Sequence, residues 1–575
     1  MKPFDHNKFL GYVAEITPVY VKMQHPSSHL LHSFYYEGQV FEGGIVGSFV
    51  VIEGQDYGFL GRIVEVGLPQ GEKIEITENK LQEQNTVFHP ISKIEILGVF
   101  NVYEPGKIEK TVTCYPQIGA KVYACSDEQI GAYIKKFGFK KGKQDGPYAS
   151  IGYLTSNNAI CNISLNSLFG RHCAVVGTTG SGKSWTVASL LESIEKQTTN
   201  KCILIDATGE YGNISENMTT VVMGDGQCVF PYQKLTIDEL YFLLHPSAKT
   251  QVPKLMEAIR SLKIAKLGVN EPQIKGMING NGNLIKANNI KRPFEKFYFE
   301  HVEKIEDKEC DFDMLRLPHQ ITNECIWDTN RNDINKWGDR NENDVSNCIS
   351  LISRINNIIN TGEYNKIFGF KKDSNSTVYS ITDTIDELLV SNKQVLRIDF
   401  SNVSFDYQVR EILVDAIGKY LLEKARRGEF KNNPLIVFVD EAHQFLNKSI
   451  ADEYFAAKPL DAFEQISKEA RKYGLFLCIA TQMPKDIPIG TLSQMGSFLV
   501  HRLINEQDKK AVESAVSSAN RNVLSFLPIL GEGEAILVGV DFPMPLTIKI
   551  APPTKGPDSE TPRLSAKDNS LDTAS

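Results

Sequence analysis

The rhythm of apolar and polar positions changes three times along this chain. From residue 8 to about 125, short β-branched runs such as Gly11–Thr17, Gly47–Glu53, Gly58–Val66 and Ser92–Phe100 are punctuated by Gly43-Gly44, Gly54 and Gly67 with Pro69. Short strands at this spacing predict a small antiparallel barrel. From about 166 onward, buried-type runs at 173–177, 202–206, 395–400, 434–440, 475–481 and 497–503 alternate with helical segments. That order predicts an α/β layer built on a parallel sheet. Between 236 and 392 the period becomes helical: Val345, Cys348, Ile349, Ile352, Ile355 and Ile359 share one face, and Thr236…Glu239 and Thr384…Glu387 read as capping boxes. This span is expected to be a helical insertion, interrupted by a polar loop near 268–292. The runs at 534–540 and 546–550 predict a closing hairpin, and the polar segment 552–575 a disordered tail.

A chain of 575 residues is too long for one core. The expected division is 1–125 barrel, 126–165 connector, 166–235 first part of the α/β core, 236–392 insertion, 393–551 second part, and 552–575 tail. The connector carries a basic stretch, Lys135 to Lys143, which reads as a solvated loop or a nucleic-acid contact. Hydrophobic and charged fractions of 42% and 23% are those of a globular protein. No apolar run reaches the roughly 18 residues of a membrane span, and the N-terminus lacks an apolar signal core, so a cytoplasmic protein without membrane contact is expected. The ten cysteines are scattered without a CxxC pair, which suits reduced core residues and supports no zinc site. A net charge of −8 does not advertise nucleic-acid binding, yet a ring can confine positive charge to its channel.

The chemistry concentrates at Gly177-Thr178-Thr179-Gly180-Ser181-Gly182-Lys183-Ser184-Trp185, a nucleotide-binding run between an apolar strand and the helix that Trp185 opens. Glycines at 177, 180 and 182 let backbone N–H groups turn inward on phosphate oxygens, and the helix adds its positive end. Lys183 then reaches the β- and γ-phosphates and the Ser184 hydroxyl a Mg²⁺ ion, so ATP and Mg²⁺ are the expected cofactors. The run 435–439 ends in Asp440 and Glu441: one carboxylate to support the metal, the other to polarise the attacking water. The run 475–481 leads to Gln482, whose amide could touch the γ-phosphate, or which simply starts a turn. Arg471 and Arg502 are candidates for charge stabilisation or plain surface ion pairs. Asp206 and Glu210 fall on the nucleotide edge of the sheet, with ordinary turn chemistry around Gly209 as the equal alternative. His443 reads as a packing or coupling residue.

Taken in order, Arg171 to Ser184, Asp206-Ala-Thr-Gly-Glu210-Tyr211, Asp440-Glu441-Ala442-His443, Glu469-Ala-Arg471-Lys472-Tyr473-Gly474, Ala480-Thr481-Gln482 and Gly531-Glu-Gly533-Glu534 resemble a HerA-type ATPase of the HerA/FtsK group. Ala207-Thr208 departs from the Pro-His common there. The resemblance implies a RecA-like P-loop NTPase core behind a HAS-type barrel, and a homo-hexamer that drives double-stranded DNA through its channel. It also implies Arg471 as a finger on the neighbour's nucleotide and Arg502 as a second interface or sensor arginine. The partner it implies is an effector, such as a NurA-type or other nuclease in end processing, or a sirtuin-like NADase or nuclease in antiviral defence. An NTP-switched ring scaffold without net translocation shares every motif. The Asp-Glu-Ala-His string does not signal a superfamily-two helicase, because no Ser-Ala-Thr or Gln-Arg-x-Gly-Arg motif follows. A Leu-Ser-Gly-Gly signature is absent as well.

Overall fold

The computed structural model describes residues 3–558, apart from 19, 42, 70–87, 106–107, 110–113, 136, 139–145, 156–158, 372–377, 447–459, 517 and 543. Strands Phe9–Ile16, Tyr20–Gln24, Phe49–Ile52, Tyr57–Gly67, Ile91–Asn101 and Lys121–Ala124 form an antiparallel sheet closed on itself by pairing of Tyr20–Gln24 with Ile91–Asn101. Closure leaves no free edge among these strands. Leu10, Val21, Val50, Ile52 and Ile63 fill the interior. The expected barrel is present; most of the basic stretch at 135–143 lies outside the described residues.

The second body is an eleven-stranded sheet, whose strands are numbered here in chain order. They are β1 (Tyr148–Leu154), β2 (Ile160–Ser164), β3 (Cys173–Val176), β4 (Lys201–Asp206), β5 (Met218–Val222), β6 (Val395–Asp399), β7 (Leu435–Val439), β8 (Leu475–Thr481), β9 (Ser497–Val500), β10 (Glu534–Gly539) and β11 (Leu546–Ile550). The spatial order is β2-β1-β11-β10-β9-β3-β8-β7-β4-β6-β5. Strands β9 through β5 are parallel, while β10, β11, β1 and β2 continue the sheet in antiparallel fashion. Two of those four, β1 and β2, come from the span read from sequence as a connector.

Both faces of the parallel strands are covered, which explains their unbroken apolar runs. Ala174, Val176, Ile203, Ile205, Val437 and Ile479 point into a cluster shared with helix Val409–Arg426 and the inserted helices. Their strand neighbours Cys173, Val175, Cys202, Leu204, Phe438 and Cys478 face the other way. There they meet Val187, Leu190 and Ile194 of α1 (Lys183–Gln197), together with Phe49, Val51, Leu60 and Phe100 of the barrel. The barrel is therefore packed onto the face that carries α1.

The span from Ile237 to Val390 is helical apart from its connections, and its ends are stitched by a short parallel pairing of Cys228–Val229 with Tyr379–Ser380. Thr236 and Glu239 form the expected capping box. The second one does not form. Helix Ile381–Val390 starts before Thr384, whose hydroxyl donates back to the Ser380 carbonyl at 3.1 Å. On helix Glu342–Asn360 the buried stripe is Cys348, Leu351, Ile355 and Ile358, and Ile349 is exposed. Residues 268–292 are more than a polar loop, because Ile274, Met277 and Leu284 pack with Phe294, Phe297 and Trp337 in a satellite core. The tail also needs correction in part. Thr554 N–H donates to the Glu192 carboxylate at 3.2 Å, Lys555 pairs with Glu216 at 2.9 Å, and Asp558 N–H donates to the Glu210 carbonyl at 2.7 Å. Residues 552–558 thus form a strap along α1, and 559–575 lie outside the described residues. Among the described residues no helix is long and apolar enough to cross a membrane.

Candidate active site

Strand β3 ends between β8 and β9, and the loop that follows hangs from both neighbours. Gly177 N–H donates to the Thr481 carbonyl at 3.3 Å and Thr178 N–H to the Arg502 carbonyl at 3.0 Å. Gly180 and Gly182 adopt φ of +70° and +106°, in the left-handed region where a Cβ is strained. A second constraint acts at Gly182: a Cβ there would stand 3.0 Å from the Gly533 Cα, whose own N–H donates to the Ser181 carbonyl at 3.1 Å. The Gly531–Glu534 turn therefore braces the loop from outside. Beneath it, the buried His501 imidazole meets the Glu534 carbonyl through Nδ1 at 2.8 Å and the Thr186 hydroxyl through Nε2 at 2.9 Å. Burial pushes this imidazole down to about 4.

Lys183 opens α1 almost wholly buried, and its ammonium donates to the Thr178 carbonyl at 3.0 Å across the loop. Burial lowers its pKa, opposed by the carboxylates of Glu441, Asp440 and Glu210. Asp440 and Glu441 follow β7 in a turn held by both adjoining strands: Asp440 N–H donates to the Ile205 carbonyl at 3.0 Å and Ala442 N–H to the Ala480 carbonyl at 2.9 Å. Glu441 sits at φ +44°, a conformation non-glycine residues adopt only when their surroundings impose it. Desolvation first, then the charges of Glu441, Asp206 and Glu210, push the Asp440 carboxyl up to about 8. Such a pocket favours a cation. Among the described residues no cluster of three His, Cys, Asp or Glu could hold an ion alone. One hydroxyl from Ser184 and one carboxylate from Asp440 instead fit Mg²⁺, which takes few protein ligands and completes its shell with phosphate and water.

Gln482 joins the two halves. The Thr179 hydroxyl donates to its amide oxygen, and its amide nitrogen donates to a Glu441 carboxylate oxygen. The other Glu441 oxygen faces His443 Nδ1 at 3.3 Å, and that nitrogen lies 3.3 Å from the Thr481 hydroxyl. His443 thus couples the ends of β7 and β8.

The structure brings Gly177 through Ser184, Asp440, Glu441, Gln482, His443 and the half-buried Glu210 to one edge of the sheet. It sets three other expected residues apart. Asp206 is held by Arg397 at 2.7 Å and accepts the N–H groups of Thr208, Gly209 and Tyr211, so its lone pairs shape the turn and leave none for water or metal. Trp185 is turned toward the strap, where a Cβ on Gly556 would stand 2.7 Å from its ring. Arg471 is exposed before β8, at the opposite end of that strand from Gln482. A seven-residue strand at about 3.3 Å per residue separates them by roughly 20 Å. Arg502 offers its carbonyl to the loop, while its guanidinium Nε is buried without a hydrogen-bond partner. Sequence reasoning assigned no role to Tyr211 or Arg397. The signal for Arg397 was a lone arginine inside an apolar strand, a position that demands a buried partner.

Residues 149–424 match the family model described as the central domain of helicase HerA, and residues 420–559 match the HerA-like C-terminal model. A probable helicase of Methanocaldococcus jannaschii is 24% identical over 544 residues, covering 90% of this chain and 92% of that protein. The DNA double-strand break repair helicase HerA of Saccharolobus solfataricus is 24% identical, with 88% and 87% covered. Among solved structures, VirB4 of Thermoanaerobacter pseudethanolicus superposes with a TM-score of 0.42 at 15% identity, covering 72% of this chain and 98% of that one.

Proposed function

The chain belongs to the HerA helicase family, and on that premise we propose an ATP-driven translocase in which six copies form a ring around double-stranded DNA. Lys183 and the loop amides bind the β- and γ-phosphates, and Glu441 takes a proton from the water attacking the γ-phosphorus. Ser184 and Asp440 hold Mg²⁺, which when bound neutralises phosphate charge. The observation that carries this reading is the chain Thr179–Gln482–Glu441. A γ-phosphate that displaces Gln482 from Thr179 also changes the hold on the base, so nucleotide state and chemistry are linked. Arg471 is too far from its own loop to serve it and is exposed, which supports action on a neighbour's nucleotide. Arg502, fixed at the loop itself, is the sensor of the same protomer. The names of the relatives support a repair setting; a nuclease effector there, or a sirtuin-like effector in defence, would use the same motor.

ATP turnover measured with and without duplex DNA across a salt series tests the proposal. Several-fold stimulation that fades as salt rises is expected, because phosphate contacts release counterions. Equal turnover with and without DNA at low salt would replace the motor with a ring scaffold.

A further inference from the structure

Tyr211 is wholly buried, yet its hydroxyl has no aligned hydrogen-bond partner. Leaving such a group unsatisfied costs about 1–3 kcal/mol, and phenylalanine would fill the same space without that penalty. The hydroxyl lies against the Ser184 side chain, within the field of Asp440, Asp206 and Glu210. It is also held there rigidly. Tyr211 N–H donates to Asp206 at 3.1 Å, Arg397 locks that carboxylate, and Gly209 at φ +88° leaves only 3.2 Å between a Cβ and the Ser401 Cβ. The ring on this turn is wholly buried, with no solvent-filled space beside it to swing into.

We propose that Tyr211 is a positioning residue for the magnesium site: its oxygen accepts the Ser184 O–H and its own O–H points toward Asp440. This rests on the active-site reading above. A serine that ligates a cation must turn its lone pairs to the metal and its proton elsewhere. The phenol supplies that acceptor, and in donating onward it orients the one carboxylate of the set. Groups that orient metal ligands are typically worth 10–100-fold in metal affinity.

The test is binding of a fluorescent ATP analogue to the full chain, in EDTA and across a Mg²⁺ titration, with melting temperature recorded alongside. For Tyr211→Phe we expect unchanged affinity in EDTA, an unchanged or slightly raised melting temperature, and a Mg²⁺ midpoint shifted upward about tenfold. In a Ser184→Ala background the same substitution should shift the midpoint by less, because only the Asp440 contact is left to lose. A midpoint within twofold of the parent overturns the proposal. So does a joint fall in EDTA affinity and melting temperature, which would mark Tyr211 as structural. Should the parent chain bind no nucleotide in either condition, it is the active-site reading that fails.

Discussion

Arg397→Met offers the sharpest test of how the 206–211 turn is held. Arg397 reaches Asp206 at 2.7 Å and Asp399 at 2.8 Å, with side-chain exposures of 5%, 0% and 10%. Methionine keeps most of the volume but strands two carboxylates in a region that water does not reach. Removing one partner of a buried pair typically costs about 3–5 kcal/mol, since the loss is dominated by the charge left behind. At about 2–4 °C per kcal/mol for domains of 150–250 residues, the melting temperature should fall by about 10 °C. Differential scanning fluorimetry reads this directly. The double variant Arg397→Met/Asp206→Asn should recover part of the loss. A melting temperature within 2 °C of the parent at neutral pH, roughly 1 kcal/mol, would refute the account.

Glu441→Gln should bind nucleotide normally while turnover falls by at least about 10²-fold, the usual contribution of a general base; near-parental turnover in a phosphate-release assay would show that another group does its work. Gly182→Ala places a side chain at φ +106° against Gly533, and nucleotide affinity measured by titration should fall at least tenfold. Burial lowers the imidazoles of His172 and His501 from 6.5 to about 4. The unfolded chain takes up protons there near pH 6.5 and the folded chain only near pH 4, so stability declines as pH falls through that window, by up to about 3 kcal/mol for each. Melting curves at pH 7.5, 6 and 5 check this, and His501→Gln should flatten the slope.

The parallel strands were legible because burial on both faces leaves apolar runs that no other element explains. The loop at 177–184 and the acidic pair at 440–441 were legible because phosphate chemistry demands those residue types in that order. The role of Asp206 was not, since an aspartate at a strand end looks the same whether it faces a metal or an arginine 191 positions away. Strands β1 and β2 were hidden because they join the sheet through β11, far along the chain, and local pattern cannot show that pairing. The strap at 552–558 was hidden for a different reason: its polar residues bond to Glu192, Glu216 and Glu210, and composition alone reads such a segment as solvated.

The loop at 177–182 hangs from Thr481 and Arg502 and rests on Gly533, all encoded some 300 residues later. During synthesis the glycine arch therefore emerges long before its supports. Until the ribosome has delivered those late strands, the nascent polypeptide has the residues for gripping phosphate but not the frame that shapes them.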